Sequence, residues 1–159
     1  MAAILPGNIA EDCHPKVRSL AEYWLSIHPA KRLPGRQHLD PCDIPKLLSN
    51  IFLVDVDARA LCFTWRLMGT ALVKIFGCDH TGLPVEGAYR DGKRANAYKA
   101  LCEIVATKQP RWRRAPANFA TDREYLTMER VVFPLARDGD TVDMAIGMIL
   151  AHLPNGEVV

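Results

Sequence analysis

Long hydrophobic runs are missing from this 159-residue sequence. The longest, Met144 to Ala151, is only eight residues, whereas a helix that crosses a bilayer needs about 20 apolar residues. The N-terminal segment MAAILPGNIAEDC has no basic region before its short apolar patch, as a secretory signal would have. We therefore expect a cytoplasmic protein that has no membrane partner.

Cysteines with disulfide or metal-binding spacing are also missing. The five cysteines form no CxxC pair and are odd in number, which indicates free thiols. Cys78, Asp79 and His80, with the separate His38 and Cys42, do not have the spacing of a zinc site. Sequence neighbours also rarely form a catalytic triad, because its members converge from separate elements. We therefore expect no metal, no catalytic residue and no enzymatic activity.

An excess of charge of one sign is missing too. The net charge of +2 is too small for the whole surface to attract nucleic acid. The one basic run, Lys108 to Arg114, contains Trp112, so its arginines could contact phosphates while the indole stacks on a base. Arg111 and Arg113 alternate with Trp112, however, which is typical of a charged strand face that resists aggregation. We favour the strand face over nucleic-acid binding.

What the sequence does contain is the composition of one globular domain. Its hydrophobic content of 49% and charged content of 24% are ordinary for a folded chain, and its length suffices to bury one core. We assign residues 1–40 to an arm, a helix and an extended crossing segment, residues 41–153 to the core domain, and residues 154–159 to a tail.

The N-terminal helix is predicted to begin near Pro15 and to end before Pro29. Its apolar face is formed by residues at helical spacing, namely Val17, Leu20, Ala21, Trp24 and Leu25. This face either caps the domain's own sheet or packs against a second copy. Leu20 and Trp24 are therefore the candidate interface residues of a homodimer.

The core domain is predicted to contain two strands, then helices, then three strands. Asp138-Gly139 is a hairpin signal between the last two strands, and Gly77 is placed to end the first helix of the core. The predicted strands cover residues 51–56, 61–68, 111–116, 124–135 and 141–153, and the predicted helices cover residues 71–76 and 92–107. Strands in two runs that flank helices indicate an α+β fold with a five-stranded antiparallel sheet, helices on one face and the N-terminal helix on or beside the other.

Several segments carry a family resemblance. They are Leu33 to Arg36, Leu39 to Pro41, Phe52 to Val56, Trp65 to Thr70, Phe76 to Gly82, Phe133 to Leu135, and Asp138-Gly139. In this order they resemble the signature LPxR, DP, FLxDV, (Y/W)RLxGT and FGxDxTG of a PAS-like family of alphaproteobacteria. The resemblance spans residues 20–153 and implies a PAS-like five-stranded sheet.

The resemblance also implies a sensory or signalling module. Such a module binds a small molecule or a partner protein between sheet and helices, and signals in trans because no output domain is attached. No Asn-Cys-Arg-Phe-Leu motif surrounds a cysteine and no histidine lies within residues 92–107, so we expect neither a flavin adduct nor haem, and the cofactor stays unknown. The alternative is a ligand-free domain for protein interaction or dimerisation.

The candidate ligand residues follow from this expected pocket. Arg66 lies among bulky apolar residues, and its guanidinium could hold an anionic ligand, or else pair with an acid such as Glu129 or face solvent. Tyr98 and Cys102 are predicted to face the sheet from the long helix. Flexible methionines on strands suit an adaptable pocket but also fill cores. The predicted ligand-binding residues are Arg66, Met68, Tyr98, Cys102, Met128 and Met144.

Overall fold

A computed structural model describes residues 5–117 and 125–159. The helices are α1 (Pro15–Ser26), α2 (Thr70–Phe76) and α3 (Asn96–Thr107). The strands are β1 (Ile51–Asp57), β2 (Cys62–Met68), β3 (Arg111–Pro116), β4 (Thr127–Leu135) and β5 (Met144–His152). The sequence also predicts a polar turn around residues 121–123 before β4, and this turn lies outside the described residues. No helix in the described ranges is long and apolar enough to span a membrane.

The five strands form one antiparallel sheet in the order β2-β1-β5-β4-β3. The two runs of strands meet where β1 pairs with β5, with Ile51 opposite Met148. This arrangement confirms the predicted α+β fold with an antiparallel five-stranded sheet. It also places β2 at one edge of the sheet and β3 at the other. Candidate site residues on β2 and on β3 are therefore far apart.

Aspartate side chains shape the two hairpin turns. Asp57 Oδ1 accepts the backbone N–H groups of Arg59 and Ala60, each at 3.1 Å. Leu61 follows in a left-handed conformation with φ of 52°, so β2 begins one residue later than predicted. Asp138 Oδ1 accepts the N–H groups of residues 140 and 141, each at 2.8 Å, before β5. Such Asx turns explain why both hairpins were recognisable from the sequence.

Alternation along the strands divides the core into two layers. Val131, Phe133 and Leu135 of β4 face α1, whereas Val132 faces α3. Helix α1 packs most of its predicted apolar stripe on the first of these faces, and α2 and α3 pack on the second. Leu25, the last residue of the predicted stripe, is 43% exposed and does not belong to it. The sheet therefore has helices on both faces, as expected.

Helix α1 is held in place by its cap and by one buried hydrogen bond. His14 Nδ1 accepts the Lys16 N–H at 3.0 Å at the N-terminus of the helix. Trp24 Nε1–H donates to the Pro134 carbonyl at 3.0 Å, and the side chain of Trp24 is 4% exposed. Leu20 is fully buried. Both predicted interface residues thus lie against this chain's own sheet and offer no free surface to a second copy.

Helix α3 begins later than predicted. Residues 92–94 form a separate 3₁₀ turn, and Ala95 is extended with ψ of 142°. The helix then runs from Asn96 to Thr107, and Lys108 follows it in a left-handed conformation with φ of 58°. Leu101 and Ile104 point to the sheet. The extended Ala95 places Asn96 and Ala97 beside the strands at the β3 edge.

Candidate functional site

A cavity of about 220 Å³ lies between the α3 side of the sheet and the loop before α3. Its described lining comes from β3, β4, β5, the end of α2, the loop before α3 and the start of α3. The residues are Phe76, Tyr89, Asn96, Ala97, Arg113, Ala115, Pro116, Met128, Arg130 and Ile149. Apolar walls with a small number of polar groups are the usual composition of a small-molecule site.

Two arginines dominate the polar part of this cavity. Arg113 and Arg130 are directly opposite each other on β3 and β4, so their side chains extend from the same face. Arg113 is exposed at the rim and Arg130 is half-buried. Neither forms an ion pair with a carboxylate from residues 5–117 or 125–159. Two positive charges therefore share the site without a described counter-ion.

Burial affects the protonation of the inner groups. Burial lowers the pKa of Arg130, although a hydrogen bond with the Tyr89 hydroxyl acts in the opposite direction. Burial also raises the pKa of Tyr89, so this phenol stays neutral. The guanidinium of Arg130 is thus charged but poorly solvated, with a neutral hydroxyl as its partner.

A small void continues from the cavity toward the centre of the core. It measures about 10 Å³, close to the volume needed for one water, and shares Tyr89, Ala97 and Arg130 with the cavity. Trp65 also lines it, is 1% exposed, and has no hydrogen-bond partner for Nε1–H among the described residues. An unpaired buried donor therefore lines the same void as Arg130.

The opposite face of the same strands carries a second polar cluster, centred on the fully buried Glu129. The His14 backbone N–H and Trp112 Nε1–H donate to Oε2, each at 2.9 Å. Arg114 Nη2 and His152 Nε2 lie 3.3 and 2.9 Å from Oε1. We call these five residues the Glu129 cluster. Each carboxylate oxygen has two hydrogen-bonding partners, so the carboxylate has no acceptor position left for a ligand and its role is structural.

Hydrogen bonds keep Glu129 ionised. Burial acts to raise its pKa, but the donors His14 N–H and Trp112 and the charge of Arg114 outweigh it, and the pKa is lowered. His14 also has a lowered pKa, mainly from burial. Arg114 pairs in addition with Asp12, at 3.2 Å. The cluster therefore fastens the segment before α1 to β3, β4 and β5.

Arg66 lies far from the cavity, at the β2 edge of the sheet. Its side chain is 67% exposed, and its acid neighbour is Asp55 at 4.0 Å rather than Glu129. The register of β1 and β2 skips Arg66, because Leu53 pairs with Leu67 and Val54 pairs with Trp65. Arg66 is thus the extra residue of a β-bulge. After the bulge the alternation reverses, so Met68 is buried and Leu67 is 44% exposed.

The structure does not bring the six predicted ligand residues together. Met128 lines the cavity. Met68 Sδ accepts the His80 N–H at 3.1 Å, and Tyr98 donates its hydroxyl to the Leu61 carbonyl at 3.0 Å, both at the β2 end. Cys102 packs partly buried on the α3-side core, and Met144 packs with the α1-side core. Of the six residues, Met128 is the one among the described lining residues of the cavity. A role in ligand binding stays a prediction for all six.

The cysteines do not line the cavity. Cys13 is buried on the α1 side, Cys102 is half-buried, and Cys42, Cys62 and Cys78 are exposed. A covalent adduct to a ligand in this cavity would need a thiol in its wall, and the described wall contains none. Within residues 5–117 and 125–159, no group of three or more His, Cys, Asp or Glu side chains is arranged to hold a metal ion.

The sequence analysis missed Arg113, Arg130, Tyr89 and Asn96 as site residues. It placed Arg113 on a charged strand face, and it assigned no role to Arg130, Tyr89 or Asn96. The arginines of the segments RWRR in β3 and ER in β4 were a possible signal for a charged site. It became readable only once the pairing of Arg113 with Arg130 was known.

Comparison with known proteins agrees with this architecture. A PAS domain family model matches residues 13–150. The fold is similar to that of the Rhodobacter sphaeroides LOV protein, with a TM-score of 0.51 and 14% identity over 71% of this chain and 68% of that one. It is also similar to a fungal LOV domain photoreceptor, with a TM-score of 0.50 and 12% identity over 83% of this chain and 88% of that one. No curated protein matches the sequence.

Proposed function

The chain belongs to the PAS domain family, and on that premise we propose that it is a sensory module that binds a small molecule in the cavity between β3, β4 and α3. The observation that carries the proposal is the cavity itself, which combines apolar walls with the Arg113–Arg130 pair. A sensory role also accounts for the absence of a recognisable nucleophile or acid–base pair among the described lining residues.

The structure offers a short route from the cavity to the opposite face. Arg113 and Arg114 are sequence neighbours on β3, and Glu129 and Arg130 are neighbours on β4. In each pair one side chain enters the cavity and the other enters the Glu129 cluster. A ligand that moves either arginine of the cavity therefore moves the backbone that holds α1. Binding would shift the population of docked and released N-terminal segments.

The N-terminal arm reaches the same strands at the edge of the sheet. Asn8 Oδ1 accepts the Trp112 N–H at 2.7 Å, and Asn8 Nδ2 donates to the Trp112 carbonyl at 3.0 Å. Its amide thus replaces a neighbouring strand for one residue of β3. We place the output at this arm and at α1, with a partner protein that reads their position in trans.

A cavity-filling variant tests ligand binding. Ala115 is half-buried on β3 and lines the cavity, so Ala115→Leu should occupy part of its volume without altering charge. Native mass spectrometry and a thermal-shift panel of metabolites should reveal a ligand for the wild type and weaker binding for the variant. Wild-type protein that shows neither a bound mass nor a shift with any metabolite would leave the ligand-free interaction domain as the better account.

A homodimer would use the part of the α1-side sheet face that α1 leaves open. Leu53 and Leu67 are cross-strand neighbours there, and Asp55 and Arg66 lie beside them with opposite charges. Such a patch is self-complementary across a two-fold axis, because the arginine of each copy can meet the aspartate of the other. This patch supports a homodimer whose interface is formed by β1 and β2.

The solution mass tests this interface. Leu67→Asp should convert a dimer to a monomer in light scattering, whereas Tyr125→Asp, at a residue 59% exposed just before β4 and remote from β2, should not. Equal masses for the wild type and Leu67→Asp would reject this interface.

A further inference from the structure

We propose that the ligand of the cavity is a small organic anion whose carboxylate or phosphate group binds between Arg113 and Arg130. This inference rests on the proposed function, and it adds the chemical class of the ligand. It is the same recognition chemistry that the sequence suggested for Arg66, but the structure assigns it to the opposite end of the sheet.

The first argument is the unbalanced charge of the cavity. Cross-strand neighbours of like charge destabilise a sheet, and Arg113 and Arg130 are directly opposed. An anion between them would replace this repulsion with two charge-assisted interactions. Guanidinium groups present planar forks of N–H donors that match carboxylate and phosphate oxygens. The pair therefore has the geometry of a two-sided anion clamp.

The second argument comes from the other arginines of β3. Arg111 pairs with Glu103 of α3, and Arg114 pairs with Asp12 and Glu129. Both have carboxylate partners in the described structure, and Arg113 between them has none. Among the three arginines of β3, the one without a described carboxylate partner is therefore Arg113, which lines the cavity.

A neighbouring cleft also has more positive than negative side chains in its described lining. It measures about 150 Å³ and shares Asn96, Arg113 and Arg130 with the cavity, while Lys99 adds a further cation. The carboxylate among its described lining residues, Glu103, is already paired with Arg111. An anion that enters through this cleft therefore meets the positive charge of Lys99 in addition to that of the arginine pair, which favours its association.

The third argument is the inventory of hydrogen-bonding side chains. Arginine and the tryptophan indole donate and cannot accept. Arg113, Arg130 and the unpaired Nε1–H of Trp65 all belong to this class, and Trp65 lines the adjoining void. Tyr89 and Asn96 can donate as well. A ligand rich in acceptors fits this set, whereas a cation or a donor-rich ligand does not.

Volume and wall chemistry limit the size of the anion. The cavity of about 220 Å³ is smaller than the roughly 300–1,000 Å³ of typical drug-sized sites. Phe76, Ala97, Ala115, Met128 and Ile149 provide an apolar wall beside the arginines. The ligand is therefore a compact molecule with a short apolar body and an anionic end.

Titration calorimetry at constant ionic strength tests the proposal. The probes are inorganic phosphate, small phosphate esters, short mono- and dicarboxylic acids, and the neutral amides of the same acids. We expect at least one anion to bind, with affinity at least tenfold above that of its neutral amide. Whether carboxylates or phosphate compounds bind identifies the head group.

Two variants assign the binding to the arginine pair. Arg113→Gln removes the exposed member and should fold normally, and Arg130→Met removes the inner one. Each should weaken anion binding at least tenfold. Arg66→Gln makes the same charge change at the remote β2 edge and should leave the affinity unchanged.

The outcomes separate this inference from the proposed function. Equal binding of acids and neutral amides, lost in Ala115→Leu, would overturn the anion inference and leave the sensory cavity intact. Unchanged affinity in Arg113→Gln, or equal loss in Arg66→Gln, would also overturn it. A protein that binds neither anionic nor neutral probes contradicts both.

Discussion

Glu129 and Arg130 are adjacent on β4, point to opposite faces of the sheet, and have opposite electrostatic environments. Glu129 is fully buried, yet its carboxylate has four hydrogen-bonding partners. Arg130 is half-buried, and its described polar partner is a neutral tyrosine hydroxyl. A charge with complete partners indicates a structural role, whereas an incompletely paired charge beside a cavity indicates a ligand. Under the proposed function, one face of the sheet provides stability and the other provides recognition.

The largest expected effect is that of Glu129→Gln. It leaves Arg114 and His152 without their shared anion and forces one amide to replace two acceptors, so we expect a loss of about 3–5 kcal/mol in the free energy of unfolding. Urea denaturation measures it. Glu103→Gln breaks the more exposed pair with Arg111 and should cost less than about 1 kcal/mol. Equal losses in the two variants would remove the distinction between the faces.

Acid should release part of the same stabilisation. The pKa of Glu129 is lowered from 4.5 and that of His14 from 6.5, so below these values the unfolded chain takes up protons that the folded chain does not. The free energy of unfolding should therefore fall as the pH drops below about 6.5, and more steeply below about 4.5. Denaturation curves from pH 7.5 downward check this expectation. A Glu129→Gln variant with the same acid dependence as the wild type would contradict it.

A smaller effect of opposite sign is expected for Arg130→Met. Without ligand, replacing a poorly solvated guanidinium by an apolar side chain of similar length should raise the free energy of unfolding by about 1 kcal/mol. The same urea experiment measures it. A loss comparable to that of Glu129→Gln would mean that Arg130 is a structural residue like its neighbour.

The smallest effect is expected for Arg113→Gln. Arg113 is exposed at the rim and has no described carboxylate partner, so the stability without ligand should change by less than about 0.5 kcal/mol. Arg114→Gln, the next residue on the strand, removes contacts to Asp12 and Glu129 and should cost more. The reverse ranking would show that the two faces of β3 had been assigned incorrectly.

Much of the fold could be predicted because its signals are local. The apolar spacing of α1, the left-handed Gly77 that ends α2 and the Asx turn at Asp138 each depend on residues close in sequence. The boundaries of β2 and β5 shifted by a few residues because turn geometry, rather than hydrophobicity, determines where pairing begins.

The site could not be predicted in the same way, because it depends on register and on a bulge. Strict alternation along β2 would put Leu67 on the same face as Trp65, but the bulge at Arg66 turns both Arg66 and Leu67 outward. The cavity arginines are 17 residues apart and become neighbours only through the pairing of β3 with β4. Neither feature has a signal in the hydrophobic pattern.

The most direct test of this difference between the two sheet faces is to compare how much an anion stabilises the wild type and Arg130→Met. At a ligand concentration of 100 Kd, binding to the folded state alone should add about 2.7 kcal/mol to the free energy of unfolding of the wild type. We predict this gain for the wild type and at most about 1.4 kcal/mol for Arg130→Met under identical conditions, the gain that a tenfold weaker Kd would leave. Equal gains in the two proteins would contradict the assignment of recognition to this face of the sheet.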